Sequence, residues 1–244
     1  MDLNNIDFLT NTLNRSGLFS EYSKITESNK IQILFFDLDN FKTINDMYGH
    51  HEGDEALKLF SKLLLANTPD NSYVSRIGGD EFVTIIPYEL NCSQIISISQ
   101  KILEATKALR NINHIYEVLS CSVGILNDYE VDKGLDTALS LADKALYHSK
   151  EAGRDTYTFY NDIKSQILHE KNIETKAVAA IANDKFKVMY HPVLHLHSSE
   201  LIRSEACCLW LQEDGTYLGR NDFRPILEKN GLIKEIDLLI FEKV

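Results

Sequence analysis

IQILFFDLD, residues 31–39, is the stretch that decides the fold, because it is almost entirely apolar and then turns acidic. A continuous apolar run of this length is typical of a strand that is buried on both faces. Its acidic residues, Asp37 and Asp39, fall at the carboxyl end of that strand. Side chains two positions apart on a strand point to the same face, so the two carboxylates are predicted to lie side by side.

The segments that follow predict an α/β fold. Residues 41–48 form a short helix, and a longer amphipathic helix is predicted from about Asp54. Two strand-like runs, 73–77 and 81–86, flank Gly78-Gly79-Asp80, which predicts a hairpin with a primed turn, a type that needs positive φ. The remaining predicted elements are a helix over 93–109, a strand over 116–126, a helix over 135–153 and a strand near 160. With a helical entry at the start, this order predicts a mainly antiparallel sheet flanked by helices.

The composition excludes several classes of protein. The 244 residues are 44% hydrophobic and 25% charged, which is ordinary for a globular chain and excludes a disordered or fibrous one. A net charge of −11 repels a phosphodiester polymer, so we expect no nucleic-acid partner. No apolar run approaches the ~20 residues of a membrane span, and the polar N-terminus is unlike a signal peptide. Four cysteines without a C-x-x-C pair indicate reduced thiols and a cytoplasmic location.

Two sequence patterns divide the chain near residue 160. Residues 1–160 carry the α/β pattern, and residues 161–183 form a helical connector that contains no Pro or Gly. A second pattern of strands and helices fills residues 184–244. So short a segment is small for an independent domain, and we expect it to be part of a larger one.

Acidic residues from two strands are the strongest chemical signal. If the hairpin lies beside the 31–39 strand, Asp37 and Asp80 converge, whereas Asp80 and Glu81 point to opposite faces. Two convergent carboxylates are costly without a counter-charge, and oxygen ligands without nearby His or Cys favour Mg²⁺ or Mn²⁺. Two such ions can activate an attacking hydroxyl and neutralise a transferring phosphoryl group. The alternative is that these strand-end acids are simply solvated.

Basic and amide side chains point to a purine triphosphate ligand. Lys42 follows the acidic pair, and Lys150 with Arg154 falls at the end of a predicted helix with i, i+4 spacing, which places both on one face. These cations can hold phosphates, or they can be no more than partners of the helix dipole. An Asp carboxylate such as Asp54 can accept from the guanine N1–H and amino groups, and an Asn amide such as Asn45 can meet the O6 and N7 side.

These residues resemble the GGDEF-domain diguanylate cyclases. The resemblance rests on FFDLDNFKTINDMYGHHEGD (35–54) and RIGGDEF (76–82), and it continues in DFLTNTLNR (7–15), SVGI (122–125) and ADKALYHSKEAGR (142–154). It implies a palm-like α/β fold related to nucleotide cyclases and polymerases. It also implies condensation of two GTP into cyclic di-GMP by a face-to-face homodimer, with two Mg²⁺ or Mn²⁺ ions in each half-site.

The resemblance also implies a role for each site residue. The metal ligands would be Asp37, Asp80 and the Leu38 carbonyl, and the catalytic residues would be Asp80, which assists deprotonation of the ribose 3′-hydroxyl, and Glu81, which supports the site. The substrate-binding residues would be Asn45, Asp54, His50 and Phe41 for the nucleoside and Lys42, Lys150 and Arg154 for the phosphates. One departure stands out, because the inhibitory Arg-x-x-Asp motif of the family is replaced by Pro69-Asp70-Asn71-Ser72, so we expect no feedback inhibition there.

The second pattern resembles the start of an EAL phosphodiesterase domain. FKVMYHPVLHL looks like the first barrel strand and SEACCLW like the signature, with Glu205 in the position of the first metal ligand. Three residues depart from that family, namely His191, Cys207 and Leu209, which stand where Gln, Leu and Arg are usual. Residues 184–244 are far fewer than the ~250 that a (β/α)₈ barrel needs, so we expect no phosphodiesterase activity from this chain.

Two other functions stay open beside the cyclase. The first is a non-catalytic GTP-binding module that regulates an EAL domain or a partner. The second is synthesis of a mixed guanine–adenine dinucleotide, which the guanine-reading Asp54 argues against.

Overall fold

The chain divides into two compact units, Met1–Ile163 and Lys164–Val244. The computed structural model describes residues 3–25 and 30–244. Each unit has its own sheet and its own hydrophobic core.

A five-stranded sheet forms the centre of the first unit, in the order β2-β3-β1-β4-β5. β1 pairs antiparallel with both β3 and β4, and β5 adds to β4 as a parallel strand. The predicted mainly antiparallel α/β sheet is therefore confirmed. The bounds of its strands are β1 Lys30–Asp39, β2 Tyr73–Gly78, β3 Glu81–Ile86, β4 Ser120–Glu130 and β5 Tyr157–Phe159.

Five α-helices belong to this unit in the described residues, and a sixth, α6, begins at the end of the unit and continues into the second one. Their bounds are α1 Arg15–Tyr22, α2 Phe41–Tyr48, α3 His50–Asn67, α4 Cys92–Ala108, α5 Leu135–Glu151 and α6 Tyr160–Ala182. The predicted start of α3 is wrong by about four residues, because the helix begins at His50, directly after Gly49, and not near Asp54. The strand predicted over 116–126 is also displaced, since Asn113 caps a short 3₁₀ helix, His114–Val118, and β4 starts only at Ser120.

The two faces of the sheet carry different helices. On one face, α3 and α4 cover a core in which the Phe60 ring meets Phe36 and Phe82 edge-on, with centroids 6.2 and 5.2 Å apart. On the other face, α5 packs closely on β4. A Cβ at Gly124 would lie 2.0 Å from the carbonyl oxygen of Ala142, so only glycine permits this approach. The close packing holds the end of α5 beside the end of β1.

The β2–β3 hairpin differs from the predicted primed turn. Neither Gly78 nor Gly79 has a positive φ. The register between the strands shifts between Arg76 and Gly78, so one strand contributes an extra residue before the turn. The bulge removes the need for left-handed glycines, and the Arg76 side chain holds the turn instead.

The second unit contains a three-stranded antiparallel sheet in the order β6-β7-β8. Its core is built around Phe186, Trp210 and Phe223, whose ring centroids lie 5.3 to 5.9 Å apart. The bounds of its further elements are β6 Phe186–Leu194, β7 Leu201–Leu211, β8 Tyr217–Gly219, α7 Arg220–Lys229 and α8 Ile233–Phe241.

Candidate active site

Asp37 lies near the end of the central strand β1, opposite Glu81 of β3 and Ser122 of β4. Its side chain is 11% exposed, and its Oδ2 accepts from the Lys150 ammonium at 2.7 Å. Burial raises the pKa of Asp37 to about 6, and the neighbouring Asp80 carboxylate adds to the rise while Lys150 opposes it. A carboxylate with this pKa is a costly charge, and it is stabilised by any cation that replaces lost solvent.

The signature turn brings Asp80 and Glu81 to the same end of β1. The Leu38 N–H donates to the Asp80 carbonyl oxygen at 3.4 Å, which ties the turn to the strand. Since residues directly opposite on paired strands share a face, Glu81 is on the same face of the sheet as Asp37. Asp37 and Glu81 therefore share a face at neighbouring strand ends, and the Asp80 carboxylate is near enough to act on the charge of Asp37.

The donor set at this position suits a hard divalent cation. Asp37, Asp80 and the Leu38 carbonyl offer oxygen atoms, which Mg²⁺ and Mn²⁺ prefer. The Lys150 ammonium on Asp37 shows that a cation is electrostatically favoured there. The described residues contain no cluster of three His, Cys, Asp or Glu side chains around one point, so water and phosphate oxygens would complete the coordination.

Asp39 has a different environment from Asp37, although the two were predicted as a pair. Its fully buried side chain accepts from the hydroxyls of Ser120 at 2.9 Å and Ser122 at 2.8 Å, and from the Asp155 N–H at 3.2 Å. These three donors satisfy a buried carboxylate without a metal ion. Asp39 is therefore satisfied by hydrogen bonds within the protein, whereas Asp37 is paired with a cation, the Lys150 ammonium.

The predicted helical spacing of Lys150 and Arg154 is wrong. The helix α5 ends at Glu151, and Arg154 lies beyond it with a left-handed φ of 67°. The turn holds this conformation because the Arg154 N–H donates to the Ser149 carbonyl at 3.1 Å. The guanidinium still reaches the site, since its Nε is 3.9 Å from Asp39 Oδ1.

Asn45 and Asp54 come from two consecutive helices that meet at a glycine. An ideal Cβ at Gly53 would lie 2.0 Å from Asn45 Oδ1 and 3.3 Å from the Phe41 ring, so the absent side chain is the space that Asn45 occupies. The Asn45 side chain of α2 therefore lies against Gly53, the residue that precedes Asp54 on α3. Two further predicted residues, Lys42 on α2 and His50 at the start of α3, are exposed beside this pair.

Arg76 and Asp7 complete the surroundings of the turn, and neither was predicted as a site residue. Arg76 donates Nε and Nη2 to the Gly79 carbonyl, and its Nη1 is 3.3 Å from both carboxylate oxygens of Asp7. Burial would raise the pKa of Asp7, but hydrogen bonds from Thr10 and the Arg76 charge outweigh it and lower that pKa. The signal available in the sequence was the position of Arg76 within RIGGDEF.

Comparison with protein-family models shows the family of the chain. A model described as "Diguanylate cyclase, GGDEF domain" matches residues 4–156, which is more than half of the chain. The chain belongs to the GGDEF-domain family. A model described as "EAL domain" matches residues 175–244, so the predicted GGDEF–EAL order is confirmed.

Relatives of this GGDEF protein are longer. "Signaling protein YkoW" of Bacillus subtilis (strain 168) is 29% identical over 245 residues, which are 97% of this chain and 30% of that protein. "Cyclic di-GMP phosphodiesterase PdeR" of Escherichia coli (strain K12) is 29% identical over 235 residues, covering 95% of this chain and 35% of that protein. The chain thus spans about a third of the length of these two relatives.

Solved structures share the fold of this GGDEF protein. The Vibrio cholerae LapD S helix-GGDEF-EAL structure, bound to c-di-GMP, aligns with a TM-score of 0.59 at 19% identity and covers 98% of this chain and 57% of its own. The GGDEF domain of DgcB from Caulobacter crescentus, in complex with c-di-GMP, aligns with a TM-score of 0.56 at 23% identity and covers 66% of this chain and 95% of its own. At these identities the likeness shows the fold alone.

One further property concerns the helices themselves. Across residues 3–25 and 30–244, none combines the length and the apolar character that crossing a bilayer requires.

Proposed function

We propose that this chain is a diguanylate cyclase that condenses two GTP into cyclic di-GMP and releases two pyrophosphates. The observation that carries the proposal is the gathering of Asp37, Asp80 and Lys150 at one end of β1, on the sheet that also carries the α2–α3 pair. Acidic oxygens beside an ammonium are what a metal-bound triphosphate requires.

Each reacting group has a protein partner in this proposal. Asp37, Asp80 and the Leu38 carbonyl hold Mg²⁺ or Mn²⁺, two ions in each half-site, and bound metal neutralises charge on the transferring phosphoryl group. Asp80 receives the proton of the ribose 3′-hydroxyl, and the hydroxyl oxygen forms a bond to the α-phosphorus of the other GTP. The bond from that phosphorus to the oxygen that bridges the α- and β-phosphates breaks, and pyrophosphate leaves. Glu81, on the face of Asp37, supports this arrangement.

The remaining residues bind and orient the nucleotide. Asp54 accepts from the guanine N1–H and amino group, Asn45 meets the O6 and N7 side, and Phe41 and His50 border the base. The phosphates are held by three cations, Lys42, Lys150 and Arg154. Two chains are required face to face because each domain holds one GTP. The site of action is the cytoplasm, where GTP is available.

A product assay tests the cyclase. The full chain, dimerised through a fused coiled coil, is incubated with GTP and Mg²⁺ or Mn²⁺, and the nucleotides are separated by chromatography. The expected result is cyclic di-GMP and pyrophosphate, abolished by Asp80→Asn with binding of GTP retained. Binding of GTP without any product from the enforced wild-type dimer would contradict the proposal. A parallel reaction with ATP added tests for a mixed dinucleotide.

A non-catalytic GTP-binding module is the second candidate, because two relatives that match 95% of this chain are named cyclic di-GMP phosphodiesterases. In that case Asp80→Asn leaves regulation of an EAL domain or partner unchanged. We also propose that residues 184–244, after a connector at 161–183, do not hydrolyse cyclic di-GMP by themselves. Glu205 is exposed there, and its Oε1 is 2.8 Å from the Arg203 guanidinium. Hydrolysis of cyclic di-GMP by the chain would contradict that statement.

A further inference from the structure

The contact between Lys150 and Asp37 occupies the position that a metal ion needs. The ammonium is 2.7 Å from Asp37 Oδ2, and the two side chains are only 33% and 11% exposed. A half-buried pair of this kind is screened less by water than a surface pair. An ammonium and a divalent cation also repel each other at close range, so both cannot sit on the same carboxylate oxygen.

The backbone on both sides of this contact is fixed. Asp37 lies on a strand that is paired on both edges. Lys150 follows Ser149, whose buried hydroxyl donates to the Val123 carbonyl at 2.8 Å and lies 2.8 Å from the Thr158 hydroxyl. The flexible four-carbon stem of Lys150 is therefore the part that can move.

The neighbouring pair, Arg154 with Asp39, does not have the same property. The Arg154 contact is longer, at 3.9 Å, and Asp39 already accepts from Ser120 and Ser122. Departure of Arg154 leaves Asp39 satisfied, whereas departure of Lys150 leaves Asp37 as a charge in need of a cation. Of these two pairs, therefore, only Lys150 with Asp37 is suited to replacement of one cation by another.

We propose that Lys150 is the internal counter-ion of Asp37 in the nucleotide-free protein, and that it is exchanged for a divalent cation when phosphates arrive to accept the ammonium. This inference rests on the proposed function, because it takes Asp37 as a metal ligand and Lys150 as a phosphate ligand. Metal and nucleotide then bind with positive coupling, and the coupling is reciprocal. Metal ions bind weakly without nucleotide, because the Lys150 ammonium leaves the Asp37 carboxylate only when it has another acceptor.

Titration with Mn²⁺ tests the exchange without any turnover. Free Mn²⁺ is followed by electron paramagnetic resonance with the full chain, alone and with a GTP analogue that carries a methylene between the α- and β-phosphates, and the Mn²⁺ that the analogue binds without protein is subtracted. For the wild type, we expect the analogue to tighten Mn²⁺ binding about tenfold, within the usual range of coupling between sites. For Lys150→Met, we expect nucleotide-free Mn²⁺ binding several-fold tighter than in the wild type, and a smaller gain from the analogue.

Three variants make the outcome decisive. Lys144→Met, an exposed lysine of the same helix α5, should behave as the wild type. Lys150→Gln keeps a hydrogen-bond donor for Asp37 without the charge, so it replaces Lys150→Met if the latter fails to fold. Asp37→Asn should remove the tight Mn²⁺ binding in every case.

The results separate the inference from the function beneath it. If Mn²⁺ binds with the analogue in an Asp37-dependent way, but neither Lys150 variant binds free Mn²⁺ more tightly than the wild type, the exchange is wrong and the metal site stands. If no variant and no wild-type sample binds Mn²⁺ even with the analogue, the proposed metal-dependent function fails and the exchange fails with it.

Discussion

Arg76 donates two guanidinium nitrogens, Nε at 2.9 Å and Nη2 at 2.8 Å, to the single carbonyl oxygen of Gly79. The third nitrogen, Nη1, is 3.3 Å from the Asp7 carboxylate. One side chain therefore links the N-terminal turn to the residue that precedes Asp80. We regard Arg76 as a positioning residue, since it acts on the site through the backbone of the turn.

Replacement of Arg76 by Met should lower turnover more than nucleotide binding. The turn that carries Asp80 loses its support, and a misplacement near 1 Å can cost about 100-fold in rate. Binding of the GTP analogue should change little, because Asn45 and Asp54 belong to other elements. Initial rates and calorimetric titration measure the two effects. Arg76→Lys keeps the charge beside Asp7 but loses the double contact with Gly79, so its rate should lie between those of the wild type and Arg76→Met. Equal rates for the wild type and both variants would refute this role.

Acid should remove the contribution of Asp7 to the stability of the fold over a defined range of pH. The folded pKa of Asp7 lies below its ordinary value of 3.8, so the carboxylate stabilises the fold above that value. The stabilisation is lost as the pH falls through the lower, folded pKa. We therefore expect the free energy of unfolding of the wild type to exceed that of Asp7→Asn fully above about pH 4, and the difference to shrink below it. Urea denaturation at several pH values measures this difference.

The matched control for Asp7 is Asp70→Asn, which changes an exposed carboxylate of the same unit. Its difference from the wild type should stay small throughout. If the difference in the free energy of unfolding between the wild type and Asp7→Asn grew on acidification, the prediction would be contradicted.

Gly53→Ala should impair recognition of the base through Asn45. The new Cβ would take the place of Asn45 Oδ1, so the amide must move and the KM for GTP should rise. A double-mutant cycle with Asn45→Ala distinguishes this route from general damage. If the effect passes through Asn45, adding Gly53→Ala to Asn45→Ala raises the KM little further; full additivity would show that the two residues act separately.

Ser122→Ala should destabilise the fold and spare the metal site. Asp39 is fully buried and loses the donor at 2.8 Å, which costs about 1–3 kcal/mol in the free energy of unfolding. Mn²⁺ binding in the presence of the GTP analogue should stay as in the wild type, because the Ser122 hydroxyl donates to Asp39, whereas the polar partner of Asp37 is Lys150. Ser16→Ala, an exposed hydroxyl on α1, is the control for stability. Loss of Mn²⁺ binding in Ser122→Ala would instead place Asp39 in the metal site.

Local patterns were sufficient for most of the first unit. The apolar run 31–39 was predicted within one residue of β1, and the bounds of α2 were the predicted 41–48. The hairpin strands were also predicted closely, because alternating apolar side chains and a glycine pair are visible in a short window. The fold class and the family followed from these segments and their order.

What the sequence did not reveal depends on contacts between distant residues. The bond from Arg76 to Asp7 spans 69 positions, and a bulge between Arg76 and Gly78 replaces the primed turn that the glycines suggested. The left-handed turn at Arg154 is likewise set by hydrogen bonds after α5 ends, which a periodic pattern cannot show. The separate environments of Asp37 and Asp39 arise from β4 and α5, so spacing alone predicted a matched pair.

The double pairing of β1 makes strand length a stricter requirement than side-chain identity. β3 and β4 hold that strand in register from both edges, and its side chains alternate between the two covered faces of the sheet. An exchange of one aliphatic residue for another leaves the alternation intact. Insertion or deletion of a single residue ahead of Asp37 would move both acids to the face that α3 and α4 cover and bring Phe36 to the opposite face, so the carboxylates would leave the cleft although every residue type of the site was still present.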